Sequence, residues 1–95
     1  MAGALWIAHV KVTDQESYMK YAELATGAIT AHGGEFLARN GKHEQLEGND
    51  RARNVVARFP SLQRAHDCYY SDSYQAALKF AVNAAERDLV IVEEI

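Results

Sequence analysis

This sequence predicts a ferredoxin-like α+β fold, β-α-β-β-α-β, and three observations carry that expectation. Leu5 to Val12 alternates as a strand does, with Trp6, Ala8, Val10 and Val12 on one face and Leu5, Ile7, His9 and Lys11 on the other. Tyr18, Tyr21, Ala22, Ala25, Ala28 and Ile29 then recur at three- and four-residue intervals, the apolar stripe of a helix that packs on a sheet. The chain closes on Leu89–Val90–Ile91–Val92, apolar throughout, a pattern that fits a strand covered on both faces.

The elements follow in order. Thr13 and Glu16 have capping-box spacing with Asp14 in the first turn, so the first helix is expected to start there and run to about His32. Gly33–Gly34 ends it, since glycine takes a left-handed C-cap without steric cost. Glu35 to Asn40 is the second strand. Gly41 to Asp50 is a polar connection in which Glu44 to Glu47 can extend the sheet. Asn54 to Phe59 is the third strand, closed by Pro60, which cannot donate to a ladder. Ser61 caps a helix whose buried stripe is expected to be Leu62, Ala65 and Tyr69. Ser71–Asp72–Ser73 interrupts and recaps it, with Tyr74, Ala77, Leu78, Ala81 and Ala85 sharing the next helical face. Arg87 is expected near that helix's C-terminus, where a cation suits the macrodipole. Asp88 to Glu93 is the last strand.

Ninety-five residues suit one domain spanning 1–95, with no repeat, linker or low-complexity tract. Hydrophobic content of 48% with 24% charged residues argues against disorder. A net charge of −3 with dispersed arginines argues against nucleic acid as a partner, because a phosphate-tracking surface needs a cationic excess. No apolar run approaches the ~20 residues of a membrane span, and no signal peptide is evident at Met1–Ala4. Cys68 is the one cysteine, so no intrachain disulfide forms and a reducing cytoplasm is expected.

Helices cover only one face of such a sheet. The other face also carries apolar residues here, among them Ile7, Leu37 and Val56, and an exposed apolar sheet is unfavourable in water. Sheet-to-sheet homodimerisation is therefore a physical expectation.

With these elements placed, the chain resembles the small bacterial family catalogued as domain-of-unknown-function family 1330. The matching pieces are Trp6–Ile7–Ala8, Val12–Thr13–Asp14, Gly33–Gly34 with Phe36–Leu37–Ala38–Arg39, Leu46–Glu47–Gly48, Phe59–Pro60–Ser61, Tyr74–Gln75–Ala76–Ala77 and Asp88 to Glu93. The resemblance covers essentially the whole chain. It implies a dimeric α+β barrel, two ferredoxin-like protomers with their sheets together, and no established activity. Asn40 stands where the family usually has a second glycine after the arginine. Arg58 stands where an acidic residue is common. The wider superfamily of dimeric α+β barrels includes cofactor-independent monooxygenases, a lactone isomerase, haem-handling enzymes and stress proteins, so fold-level similarity supplies options only.

Arg39 is the residue that stands out chemically. A guanidinium inside the short apolar strand Glu35–Arg39 must face water, a partner or a cavity, because burying it unpaired costs several kcal/mol. Alternation from Phe36 and Phe59 sends Leu37 and Arg39, and Val56 and Arg58, to the sheet's open side, with Ile7 and His9. On that placement Arg39 and Arg58 bind an anionic or carbonyl-containing ligand, His9 moves a proton as a catalytic partner of Arg39, and Tyr69 borders the pocket. No dedicated cofactor and no metal are expected. The structural alternative pairs Arg39 and Arg58 with Glu35, Glu47, Glu93 or a partner subunit, which makes the protein a noncatalytic or stress-related dimerisation module. A third option is a haem-handling barrel using His66, although only Tyr69 and Tyr70 lie at the right helical spacing for a second ligand. Cys68 and His66 are two apart on a helix and point different ways, so they do not make a nucleophile–base pair.

Overall fold

The computed structural model describes residues 2–95. Four antiparallel strands lie in the order β2-β3-β1-β4, where β1 is Ala4–Val12, β2 Glu35–Arg39, β3 Arg53–Phe59 and β4 Ala85–Glu93. Helices α1 (Gln15–Ala31), α2 (Leu62–Tyr70) and α3 (Asp72–Leu78) complete the α+β, ferredoxin-like plan. No helix is long and apolar enough to cross a membrane, among the described residues.

The helices cover one face. Ala4, Trp6, Ala8 and Val10 of β1 and Val55, Ala57 and Phe59 of β3 are buried there, as alternation predicts. Trp6 anchors this layer, with ring centroids 5.6 Å from Phe59 and 5.1 Å from Tyr74. Truncating such a buried aromatic typically costs ~3–5 kcal/mol. On the opposite face Val90 and Val92 are 53% and 45% exposed. Within one chain β4 is therefore covered on one side only, not on both as its apolar run suggests.

Several boundaries differ from expectation for identifiable reasons. The N-cap of α1 is Asp14, not Thr13: its carboxylate accepts from the Ser17 amide at 3.2 Å, while the Thr13 and Asp14 amides donate to Ala84 O. Residues 40–52 form no strand, so Glu44 to Glu47 do not extend the sheet. Ala65 and Cys68 are the buried residues of α2, and Leu62 is outward at 39% exposure. Ser71 does recap the chain, its hydroxyl accepting from the Tyr74 amide. However, α3 stops at Leu78, and after a turn β4 begins at Ala85, so Arg87 lies inside a strand rather than at a helix end.

At the α1–β2 corner Gly33 has φ of +85°. Gly34 is sterically fixed as well: a Cβ there would sit 2.5 Å from Ile29 Cγ2 and 2.8 Å from Ile29 O. The β2–β3 ladder then contains a bulge. Phe36 pairs with Ala57 and Ala38 with Val56, so Leu37 is the extra residue and Arg39 falls opposite Val55.

Candidate functional site

The bulge decides where Arg39 goes. An extra residue shifts the alternation by one, so Arg39 lies on the helix-facing side with Phe36 and not on the open side expected from unbroken alternation. Its guanidinium stacks 4.6 Å from the Phe36 ring centroid and donates to Thr26 Oγ1 at 3.3 Å.

Two further arginines share that side. Arg53 and Arg87 both pair with Val10, one from β3 and one from β4. Arg87 Nη2 donates to Tyr21 OH at 2.7 Å and Tyr74 OH at 3.2 Å, and those hydroxyls are 2.6 Å apart. Its guanidinium also lies 4.6 Å from the Tyr21 ring centroid, and that of Arg53 lies 5.4 Å from Tyr18. The Nε groups of both Arg53 and Arg87 are buried without a hydrogen-bond partner. None of the three arginines has an acidic partner among the described residues: the arginine–carboxylate pairs are Arg51–Asp88 and Arg58–Glu94. Burial pushes the Tyr21 and Tyr74 phenols above their ordinary range, so both stay protonated at neutral pH.

Between α1 and the sheet Tyr18, Tyr21, Arg39, Arg53 and Arg87 border a small chamber of about 30 Å³, lined also by Trp6, Ile29 and Phe36. An outer groove of about 530 Å³ adjoins it, bordered by Met19, Lys20 and Glu23. Ala22, Thr26, Arg39 and Arg53 line both.

The other residues expected at a site lie elsewhere. His9 and Arg58 are on the open face, at opposite ends of the β1–β3 ladder: His9 pairs with Asn54, and Arg58 with Leu5. The His9 ring meets two acceptors, Asn54 Oδ1 at Nδ1 and Asn49 O at Nε2, 3.0 Å away. Asn54 Nδ2 donates to Arg51 O, which fixes the amide with its oxygen toward His9. The Asn54 contact first, and the Asn49 carbonyl second, raise the His9 pKa above its usual value. Arg58 Nε donates to Glu94 Oε1 at 2.7 Å, a different acid from those expected. Tyr69 is carried by α2, with its ring 5.3 Å from that of Tyr74 and 6.1 Å from that of Trp6 by centroids. It borders a separate cleft of about 320 Å³ with His66, Tyr70, Leu89 and Ile91. His66 is half exposed there and stacks on Tyr70. Cys68 is buried, and that burial pushes its thiol up to about 11. The described residues contain no cluster of three or more His, Cys, Asp or Glu that could hold a metal ion.

The family of unknown function DUF1330 matches residues 3–95. The chain belongs to the DUF1330 family. Comparison with curated proteins found no match. Among solved structures, this DUF1330 chain is similar to the RPA0582 protein of unknown function from Rhodopseudomonas palustris. The two are 15% identical, with a TM-score of 0.80 over 99% of this chain and 83% of that one. It is also similar to SnoaB, a cofactor-independent oxygenase from Streptomyces nogalater, at 6% identity and a TM-score of 0.72, covering 100% of this chain and 95% of that one. A third is a dimeric ferredoxin-like protein of unknown function from Thermobifida fusca, at 16% identity and a TM-score of 0.58, covering 98% and 92%. At these identities the likeness establishes the ferredoxin-like fold.

Arg53 and Arg87 are not singled out by the sequence, whose patterns open the third strand at Asn54 and put Arg87 at a helix end. Continuing the alternation Phe59, Ala57, Val55 one step back reaches Arg53, and Ile91, Leu89 reaches Arg87. That was the available signal. The bulge at Leu37 left none.

Proposed function

We propose that this DUF1330 protein is a small-molecule enzyme or binder for an anionic or carbonyl-containing ligand, held in the cleft between α1 and the sheet without a dedicated cofactor. One observation carries this: Arg39, Arg53 and Arg87 converge on an aromatic cleft with no carboxylate partner among the described residues. Leaving the guanidinium groups of Arg53 and Arg87 partly buried and uncompensated is unfavourable, and an anionic ligand removes that cost. Arg39 anchors the ligand at the mouth, and Arg53 and Arg87 hold it from the sheet. Tyr69 supports the inner wall through Tyr74. The likeness to a cofactor-independent oxygenase fits an enzyme of that type.

The protein acts as a homodimer joined through its open sheet faces, in keeping with the dimeric Thermobifida fusca protein of the same fold. Ile7 stands between Val56 and Val90 at the centre of that face, with Val92 beside them. His9 and Arg58 then lie at the ends of the interface, where Arg58 serves dimer register. The lone, buried Cys68 suits the cytoplasm.

The test is a thermal-shift screen of small organic acids against their neutral amides. Acids are expected to raise the melting temperature of the wild type and not of Arg53→Met. A screen in which acids and amides behave alike, while Arg58→Ala dissociates the dimer, would favour the noncatalytic dimerisation module.

A further inference from the structure

We infer that the occupant of the cleft is a monocarboxylate bound head-inward, with the phenolic hydrogen of Tyr21 donated to its carboxylate. This assignment rests on the anion cleft proposed above and follows from counting hydrogens in the chamber.

Arg87 Nη2 gives its hydrogens toward the oxygens of Tyr21 and Tyr74. The two phenols have two hydrogens between them, and one lies in the 2.6 Å contact that joins them. The other hydrogen has no acceptor in either direction along the pair. Tyr74 is fully buried and does not border the chamber, so a hydrogen left on it would be stranded, at a cost of ~1–3 kcal/mol. Tyr74 is therefore the donor to Tyr21. The Tyr21 oxygen accepts from both Tyr74 and Arg87, and its own hydrogen points to the chamber that it lines.

Most other polar groups there donate, while the hydroxyl of Tyr18, which also lines the chamber, can donate or accept. Arg53 and Arg87 line the chamber with their guanidinium groups, whose Nε–H groups are buried behind it without acceptors. Thr26 gives its hydroxyl hydrogen to Ala22 O at 2.7 Å and accepts from Arg39. The chamber thus offers mainly donors and positive charge. A neutral amide can meet them with its one oxygen but turns its NH2 against the remaining donors and brings no charge. A carboxylate or the related enolate matches it.

Size sets the orientation. About 30 Å³ admits a head group and no more, on the order of the space of one or two waters. The groove of about 530 Å³ beyond Arg39 takes the remainder, against Met19 and Ala22. Arg39, exposed and tethered through one hydrogen bond to Thr26, stands between the two spaces and borders both.

Benzoate and benzamide, matched in shape, test this on the full chain. Calorimetry is expected to detect benzoate at millimolar concentration and not benzamide. Tyr21→Phe is expected to weaken benzoate about tenfold, the loss of one hydrogen bond to a charged group. Should that variant fold poorly, wild-type protein labelled at tyrosine Cζ and arginine Nε is titrated by NMR instead. Benzoate is expected to move the Tyr21, Arg53 and Arg87 signals, and benzamide to leave them unmoved. Benzoate that moves the arginine signals while Tyr21 stays still, or that binds Tyr21→Phe as tightly as wild type, would overturn the role of Tyr21 and leave the anion cleft standing. No response to benzoate or to any other carboxylic acid of the screen, as for a chamber holding only water, would overturn the carboxylate. If in addition no other acid in the screen binds, the anion cleft itself fails.

Discussion

Arg53 and Arg87 stand opposite the same residue, Val10, from the strands on either side of β1. Two inter-strand spacings put their backbones ~10 Å apart with side chains on one face, a span suited to holding a small anion from two sides. Neither has an acid to neutralise it among the described residues. The first prediction is a trade of function for stability. Arg53→Met is expected to hold or raise the melting temperature, by ~4–8 °C if ~1 kcal/mol is gained, while abolishing the response to organic acids. A variant that melts well below wild type would show Arg53 to be structural.

The open face supplies the second prediction. Ile7 pairs with Val56 on one side and Val90 on the other, so Ile7→Asp places a charge at the centre of the proposed interface without entering the core beneath the helices. Wild type is expected to sediment at twice its 10.6 kDa and Ile7→Asp as a folded monomer. A monomeric wild type would remove the interface.

His9 gives a prediction in pH. Asn54 Oδ1 and Asn49 O both accept from the ring, which favours the doubly protonated imidazolium. A raised folded pKa means that the stabilisation is complete below the unfolded value near ~6.5 and is lost as pH rises through the folded value. NMR titration is expected to give a midpoint above that of a free histidine, and Asn54→Val to bring it back down. A midpoint at or below ~6.5 in wild type would contradict the two-acceptor arrangement.

Cys68 is expected to be inert. Its burial holds the thiol at about 11, and its one polar contact is a long one to Ala28 O at 3.7 Å. At pH 8 a disulfide reagent should label it only on unfolding, and labelling at the rate of a free thiol would show that α2 opens readily.

Gly34→Ala is expected to destabilise by ~1–3 kcal/mol through the clash with Ile29, read as a loss in denaturant midpoint. An unchanged midpoint would mean that the α1–β2 corner relaxes at little cost.

The ferredoxin-like order, the helix-facing core of β1 and β3, and the apolar open face are all legible in the residues. Those follow from period-two and period-3.6 patterns that each segment carries alone. Ser61 and Ser71 were legible as caps because a cap is a contact three residues away. The cleft was only half legible. Arg39 was recognisable as an anomalous charge, yet its side of the sheet depended on the bulge at Leu37, which exists only in the pairing of β2 with β3. Arg53, Arg87, Tyr21 and Tyr74 come from four elements spread over more than sixty positions, between Tyr21 and Arg87. Tertiary structure alone decided that they meet, because strand register and helix packing bring distant residues together while local patterns fix only which face each presents.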